Sequence, residues 1–163
     1  MKKLALLAMA LLLGLSLTAC AKADPNAGEP NGEVGKTYET KWFTFSVDAM
    51  EKTQTYKGIE AAEGSTFLVC TVTETNNWEE KEALPMSAED FYVNREGWAE
   101  PVGPETAWDA AMMPLSFDLA PEETVTYDVV FAVPTDTADV QFVYVEVNEN
   151  QEEFATFVIN HAL

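Results

Sequence analysis

Apolar and polar residues alternate with a period of two along most of the chain after residue 36. The alternation is clearest at Phe43, Phe45 and Val47, which would share one face of an extended segment, with Thr44 and Ser46 on the other face. This pattern is typical of a strand with one buried face. The same pattern, or a run of β-branched and aromatic residues, predicts further strands over residues 65–75, 91–93, 115–119, 124–133, 141–147 and 153–161.

Few segments favour a helix. Residues 87–90 fit a single turn with Ser87 as its N-cap, and residues 106–113 fit a second short helix. Pro121 and Pro134 fall at the ends of predicted strands, where the missing N–H removes no ladder hydrogen bond. Strands about ten residues apart, separated by Gly, Pro and Asn turns, predict an all-β fold. We expect an antiparallel β-sandwich that forms one domain over residues 36–163.

The N-terminal segment has the layout of an export signal. Lys2 and Lys3 precede an apolar run at residues 4–15, and small or polar residues follow the run. The run is shorter than the ~20 apolar residues that a transmembrane helix needs. Leu17-Thr18-Ala19-Cys20 resembles the lipobox of bacterial lipoproteins, in which the cysteine thiol receives a diacylglyceryl group and the preceding peptide bond is cut. The resemblance implies a signal peptide at residues 1–19 and lipidation of Cys20.

Ordinary signal cleavage after Ala21 or Ala23 is the alternative, because small residues also flank those positions. Lipidation is favoured because Leu, Thr, Ala and Cys fill all four lipobox positions. Two acyl chains, at ~0.8 kcal/mol for each buried methylene, hold a protein stably on a bilayer. The chain is therefore expected on the extracytoplasmic face of the cell membrane, bound through Cys20. Residues 20–35 lack apolar periodicity and are predicted to be a flexible tether.

The charge balance limits the possible partners. The chain has 28 acidic and 9 basic side chains, a formal net charge of -19. The predicted signal peptide contains Lys2 and Lys3 and no acidic residue, so its removal makes the mature chain still more acidic. Nucleic acids and anionic lipid headgroups bind basic surfaces. We therefore expect no nucleic acid partner.

No arrangement typical of an enzyme is evident. The two cysteines are Cys20 and Cys70, so lipidation of Cys20 would leave Cys70 without an internal disulfide partner. Cys70 lies within a predicted strand and is expected in the core. His161 is the single histidine, which argues against a zinc site. Phosphate loops, HExxH, Cys-x-x-Cys and Gly-x-Ser-x-Gly motifs are missing from the sequence. We expect no catalytic residue and no cofactor.

Acidic residues cluster at residues 79–82, 118–123 and 146–153. Calcium takes six to eight oxygen ligands, often from acidic loops. None of the three clusters has the alternating Asp and Asn pattern with a turn glycine that is typical of a dedicated calcium loop. A solvated acidic rim is the favoured interpretation, and no metal ligand is assigned. A cation-responsive, calcium-binding envelope domain is the alternative function.

Tryptophans provide the candidate binding residues. Trp78, Trp98 and Trp108 lie in or beside predicted loops, whereas Trp42 is assigned to the strand that contains Phe43. Exposed aromatic side chains are common at binding sites. Packing in the core or at an end of the sandwich is the favoured alternative for any single tryptophan. The sequence therefore predicts a non-catalytic binding module whose partner is an envelope protein or a small ligand.

Short motifs resemble an immunoglobulin-like domain of unknown function that is common in lipoproteins of Gram-positive bacteria and similar in fold to a secreted immunogenic antigen of mycobacteria. The motifs lie at residues 34–37, 67–76, 90–97, 119–134 and 142–144. The resemblance implies an immunoglobulin-like sandwich and an envelope location, and it implies no activity. The family usually has Gly after the proline of the turn that here contains Pro121, Glu122 and Glu123. Glu at that position predicts a type I turn instead of type II.

Overall fold

The computed structural model describes residues 28–147 and 153–163. In this part of the chain twelve strands and one 3₁₀ helix form. The elements are β1 (Glu29–Gly32), β2 (Thr37–Glu39), β3 (Phe43–Thr53), β4 (Thr55–Tyr56), β5 (Ile59–Glu60), β6 (Ser65–Asn76), β7 (Leu84–Met86), the 3₁₀ helix (Ala88–Asp90), β8 (Phe91–Asn94), β9 (Phe117–Leu119), β10 (Thr124–Pro134), β11 (Asp139–Val147) and β12 (Glu153–Ala162).

Two four-stranded sheets form the domain. One has the strand order β1-β12-β11-β8, and the other has the order β10-β6-β3-β2. Neighbours in both sheets are antiparallel except β1 and β12, which are parallel. The small pairs β4-β5 and β7-β9 complete the described strands. The predicted all-β, immunoglobulin-like antiparallel β-sandwich is confirmed.

The core lies between the two sheets. On β6, Leu68, Cys70 and Val72 are fully buried at every second position. The prediction that Cys70 is a core residue is confirmed, and burial raises the pKa of its thiol. Across the core the ring of Phe45 lies 6.2 Å from that of Phe91, measured between ring centroids. Alternation at period two therefore fills the space between the sheets with apolar side chains.

The first strand lies inside the segment that the sequence predicts to be a tether. Strand β1 pairs with β12, with Glu29 opposite Phe157 and Gly32 opposite Ile159. Gly28 has a φ of 69°, and a Cβ added there would lie 2.2 Å from the carbonyl oxygen of Thr156. The tether predicted for residues 20–35 is therefore wrong from Glu29 to Gly32. Residues 20–27 lie outside the described part of the chain.

One of the two helical predictions is confirmed. Ser87 caps the 3₁₀ helix, since its Oγ accepts a hydrogen bond of 3.0 Å from the N–H of Glu89. The helix predicted for residues 106–113 is wrong. That segment runs beside β10, where the N–H of Glu105 donates to the carbonyl of Val130 and the N–H of Asp128 donates to the carbonyl of Ala111. Pairing with the edge of β10 outweighs the local helical propensity.

The turn after Leu119 differs from its prediction. Glu122 has a φ of 64°, and the N–H of Glu123 donates to the carbonyl of Ala120 over 3.0 Å. A positive φ at the third position makes this a type II turn, so the type I prediction is wrong. The N–H of Glu122 donates to the carbonyl of Asn76, and the N–H of Asn76 donates to the carbonyl of Glu123. These two bonds hold Glu122 in the left-handed conformation.

Candidate functional site

A cleft with a volume of about 640 Å³ opens at one end of the sandwich. Its walls come from the end of β11, from β7 and from the loops before β3 and after β6. Four aromatic side chains line it, namely Trp42, Phe43, Trp78 and Tyr144. Glu82 and Asp90 also line the cleft, and no Lys, Arg or His side chain does so among the described residues. Such a cleft suits a ligand with apolar faces and a positive charge.

Asn76 holds Trp78 at the cleft. Its Oδ1 accepts a hydrogen bond of 3.1 Å from the N–H of Trp78. Its Nδ2 donates to the carbonyls of Glu82 and Leu119, over 2.8 Å and 2.9 Å. The Asn76 side chain is buried. One amide therefore fixes both ends of the loop that carries Trp78, although Asn76 is not among the site residues predicted from the sequence.

Trp42 lies in the bend immediately before β3 and not in the strand, so its assignment to the strand is wrong. The Oγ1 of Thr40 accepts hydrogen bonds from the N–H groups of Trp42 and Phe43, over 3.2 Å and 3.1 Å. This arrangement is a side-chain turn of the kind that Thr favours. It brings the Trp42 ring to the cleft, where the Nζ of Lys41 lies 4.9 Å from the ring centroid.

Two carboxyl groups are buried at this end of the sandwich. The Oε1 of Glu146 accepts a hydrogen bond of 3.0 Å from the N–H of Lys41, whereas its Oε2 has no hydrogen-bond partner in the described part of the chain. Neither carboxyl oxygen of Glu74 has a partner there. Both side chains are 0% exposed. Buried polar groups without partners are rare and costly, so each needs an explanation.

Burial changes the protonation of these groups. Burial, with a smaller contribution from the charge of Asp90, raises the pKa of Glu74 to about 8. Burial also raises the pKa of Glu146, although the hydrogen bond from the Lys41 N–H, a hydrogen bond with the Thr40 side chain and the charge of Lys41 act in the opposite direction. The pKa of Tyr144 is raised by burial and then by the charges of Glu146, Asp90 and Glu74. Tyr144 lines the cleft and is also close enough to Glu74, Asp90 and Glu146 for their charges to affect its pKa.

The structure separates the three predicted tryptophans. Trp78 lines the cleft, and Trp42 accompanies it there. Trp98 packs against the main core, as Trp42 and Trp78 also do, but it does not line the cleft. Trp108 packs into a second cluster, with its ring 5.5 Å from that of Phe67. Cys20, the predicted lipidation site, lies outside the described residues.

The acidic clusters hold no metal arrangement in the described part of the chain. No group of three His, Cys, Asp or Glu side chains is placed there to bind a metal ion. Glu146 belongs to the third predicted cluster but is buried, so its assignment to a solvated rim is wrong. Residues 28–147 and 153–163 also contain no helical segment that could serve as a membrane span.

Strand parity could have located both buried carboxyl groups from the sequence. Glu74 lies two residues beyond Val72 on β6, and Glu146 lies two residues beyond Tyr144 on β11. Each therefore falls on the core-facing side of its strand, because side chains alternate between faces. An acidic residue at a core-facing position of a predicted strand is therefore the signal for a buried carboxyl group. A count of acidic residues along the chain does not show this signal.

Comparison with solved structures supports the fold. A candidate lipoprotein of Bacillus subtilis (ycdA) matches with a TM-score of 0.61 and 13% identity, and the match covers 80% of this chain but only 39% of that chain. The secreted protein MPT63 of Mycobacterium tuberculosis matches with a TM-score of 0.57 and 12% identity over 81% of this chain and 98% of that one. An uncharacterised β-sandwich protein of Clostridium difficile matches with a TM-score of 0.55, 12% identity and coverages of 82% and 95%.

At such low identities these similarities concern the fold alone. No match is found among curated protein sequences. A family model described as a domain of unknown function, DUF4352, matches residues 32–153, which is most of the sandwich. The chain belongs to the DUF4352 family.

Proposed function

We propose that this protein is an exported, lipid-anchored lipoprotein of the cell envelope whose sandwich is a non-catalytic binding module. The cleft beside Trp42 and Trp78 is its ligand site. The observation that carries the proposal is a cleft of about 640 Å³ whose lining combines four aromatic side chains with the carboxyl groups of Glu82 and Asp90. A concave site with apolar walls and a few polar groups is the usual form of a ligand-binding site.

The location is supported by the sequence before residue 21. Residues 1–20 have the layout of a lipoprotein signal, with Cys20 at the lipidation position. The similar folds of a candidate lipoprotein and of a secreted mycobacterial protein agree with export. Lipid attachment at Cys20 would keep the sandwich on the extracytoplasmic face of the membrane.

Catalysis through Cys70 is disfavoured because this side chain is inaccessible. The Cys70 side chain is fully buried, and burial raises the pKa of its thiol, so the reactive thiolate is strongly disfavoured. His161 lies on β12 and lines a separate surface depression together with Arg95. Neither residue lines the cleft.

Crosslinking on intact cells tests the binding role. Cells would express the wild-type chain, Trp78→Ala or the matched control Trp98→Ala, and the attached molecules would be identified by mass spectrometry. We expect one specific envelope component on the wild-type chain and on Trp98→Ala, and its loss from Trp78→Ala. Equal recovery from both variants would show that the cleft is not the binding site. Recovery of nothing from wild-type chains in the membrane fraction would count against a stable protein partner.

Metabolic labelling with an alkyne fatty acid tests the anchor. We expect label on the wild-type chain and none on Cys20→Ala. An unlabelled wild-type chain with a new N-terminus at Lys22 or Asp24 would instead establish ordinary signal cleavage.

A further inference from the structure

Strand β11 has an edge that its neighbour does not cover. β11 pairs with β8 from Gln141 to Tyr144, where Tyr144 lies opposite Phe91, the first residue of β8. β11 continues to Val147, and Val145 and Val147 both line the cleft. Beyond Tyr144, no residue in the described part of the chain pairs with this edge.

The backbone groups of this edge point into the cleft. Val93 on β8 donates to and accepts from Val102, over 2.9 Å and 2.8 Å, so its polar groups point away from β11. In an antiparallel sheet, the N–H and C=O groups of successive residues point to opposite sides of their strand. Tyr92, which lies opposite Val143, must therefore bond to β11, and Val143 bonds towards β8. The same alternation directs the N–H and C=O groups of Val145 and Val147 into the space that β8 leaves open.

We propose that the ligand of this cleft is an extended, basic peptide segment of a partner protein that adds to β11 as a further strand. The proposal rests on the binding role assigned above and names the ligand class of the same site. Main-chain hydrogen bonds to Val145 and Val147 supply part of the affinity, and alternate side chains of the segment enter the cleft and supply the specificity. At ~3.3 Å for each residue, the open edge accommodates about three to five residues of the segment.

Charge complementarity identifies the segment as basic. Glu82 and Asp90 line the cleft, whereas the ammonium group of Lys41 lies over the ring of Trp42, so acidic groups outnumber this basic one at the site. The indole ring of Trp78 can also accept a cation on its face. Lysine or arginine side chains at alternate positions would pair with Glu82 and Asp90 and lie over the ring of Trp78.

A second copy of this chain is the competing occupant, because open strand edges favour association between identical domains. The formal net charge of -19 opposes that pairing and favours a basic partner. Sedimentation of the purified full chain distinguishes the two cases. A dimer that Val145→Pro converts to monomer would overturn the proposal in favour of self-association.

A random nine-residue peptide display library would be selected on the purified full chain and counter-selected on Trp78→Ala. We expect the enriched peptides to carry a net positive charge. The most enriched peptide would then be synthesised with its natural backbone and with N-methyl groups at alternate residues, in both possible phases. Binding would be measured from tryptophan fluorescence. One N-methylated phase should bind at least tenfold more weakly, because it lacks the N–H groups that face β11. Enrichment of acidic or neutral peptides, or of none, would overturn the proposal.

Val145→Pro tests the same bonds from the other side of the interface. Proline removes the N–H that points into the cleft, and an edge position tolerates this change. The matched control Val145→Thr keeps the N–H and the branched side chain. We expect at least a tenfold loss of affinity for Val145→Pro and less than a twofold change for Val145→Thr, with the two variants equally folded by circular dichroism.

Two proposals can be rejected separately: that the cleft is the binding site, and that the ligand adds to β11 as a strand. Peptide binding that Trp78→Ala abolishes, but that neither N-methylation nor Val145→Pro weakens, would retain the cleft as a binding site and reject strand addition. Crosslinking that Trp78→Ala leaves unchanged would reject the cleft itself.

Discussion

Two regions of this sandwich place a tryptophan close to buried or half-buried acidic side chains, and they differ in what surrounds the carboxyl group. Around Trp108 the space is filled by Tyr56, Phe67 and Met112. The nearby carboxylate of Asp128 accepts hydrogen bonds from the hydroxyls of Tyr56 and Thr71, over 2.7 Å and 2.9 Å. At the cleft, by contrast, the space beside Trp78 is open.

The carboxyl groups differ in the same way. Each oxygen of Asp128 has a hydroxyl donor, whereas Glu74 has no hydrogen-bond partner and Glu146 has one for a single oxygen in the described part of the chain. The Trp108 region is not fully saturated, because the indole Nε1 of Trp108 has no hydrogen-bond partner in the described part of the chain. The two regions therefore differ in their carboxyl groups and in whether the space beside the tryptophan is filled or open. The same residue types therefore form a structural cluster at one place and a candidate site at the other.

The largest effect is expected from Glu74→Gln. Between pH 4.5 and about 8 the native state retains the Glu74 proton while the unfolded chain has released it, so raising the pH favours unfolding. The free energy of unfolding should fall by up to about 1.4 kcal/mol for each pH unit in this window. The glutamine variant should lose much of this slope, as measured by urea unfolding at pH 5, 6, 7 and 8.

Glu74→Asp is the control, because it keeps a carboxyl group on the same face of β6 and should retain the slope. Since burial also raises the pKa of Glu146, a weaker fall of the same sign should persist in Glu74→Gln. A wild-type slope in the glutamine variant would show that Glu74 is not the group responsible.

Paired tryptophan truncations sharpen the comparison between the two regions. Trp108→Ala removes a ring that packs against the rings of Phe67 and Tyr56, and it should lower the free energy of unfolding by about 3 kcal/mol. Trp78→Ala empties space that is already open, so the loss should be about 1 kcal/mol. Denaturant midpoints at constant pH would measure both. Equal losses would remove the distinction between a structural cluster and an open site.

The smallest effect is expected at the turn beside the cleft. Glu122 adopts a φ of 64°, which glycine reaches without the steric penalty of a side chain. Glu122→Gly should raise the free energy of unfolding by about 0.5–1 kcal/mol. The ion pair of Glu122 with Lys81 is exposed and contributes little. Glu122→Ala, which keeps a Cβ, should show no such gain. Thermal unfolding of both variants would decide whether the strain is real.

Regular strands could be predicted because each turns an apolar face to the core. Strand β6 was predicted as residues 65–75 and ends one residue later. Strand β1 could not be predicted in this way, because its residues, Glu-Pro-Asn-Gly, contain no apolar alternation and depend on pairing with β12. The sequence wrongly predicts a helix after Glu105 for a similar reason, since the partner of this segment, β10, is distant in sequence.

The candidate site was only partly predictable. Trp78 was identified from its loop position, and Trp42 was assigned to a strand although Thr40 turns the chain before it. The cleft lies where β8 no longer covers β11. β8 begins at Phe91, opposite Tyr144, whereas β11 continues to Val147. Such a mismatch in strand lengths depends on the register between strands that are distant in sequence, and no local pattern encodes it.

The short strand β1 covers an edge of β12 that would otherwise be open. It covers β12 on the side opposite β11, with Glu29 and Gly32 in register with Phe157 and Ile159. A recombinant chain that began at Lys36, where the apolar alternation first predicts the domain, would lack this cover. The same sheet would then present two open edges, one on β12 and one at the end of β11, and open edges promote stacking of domains into aggregates. Expression of the soluble domain should therefore begin before Gly28.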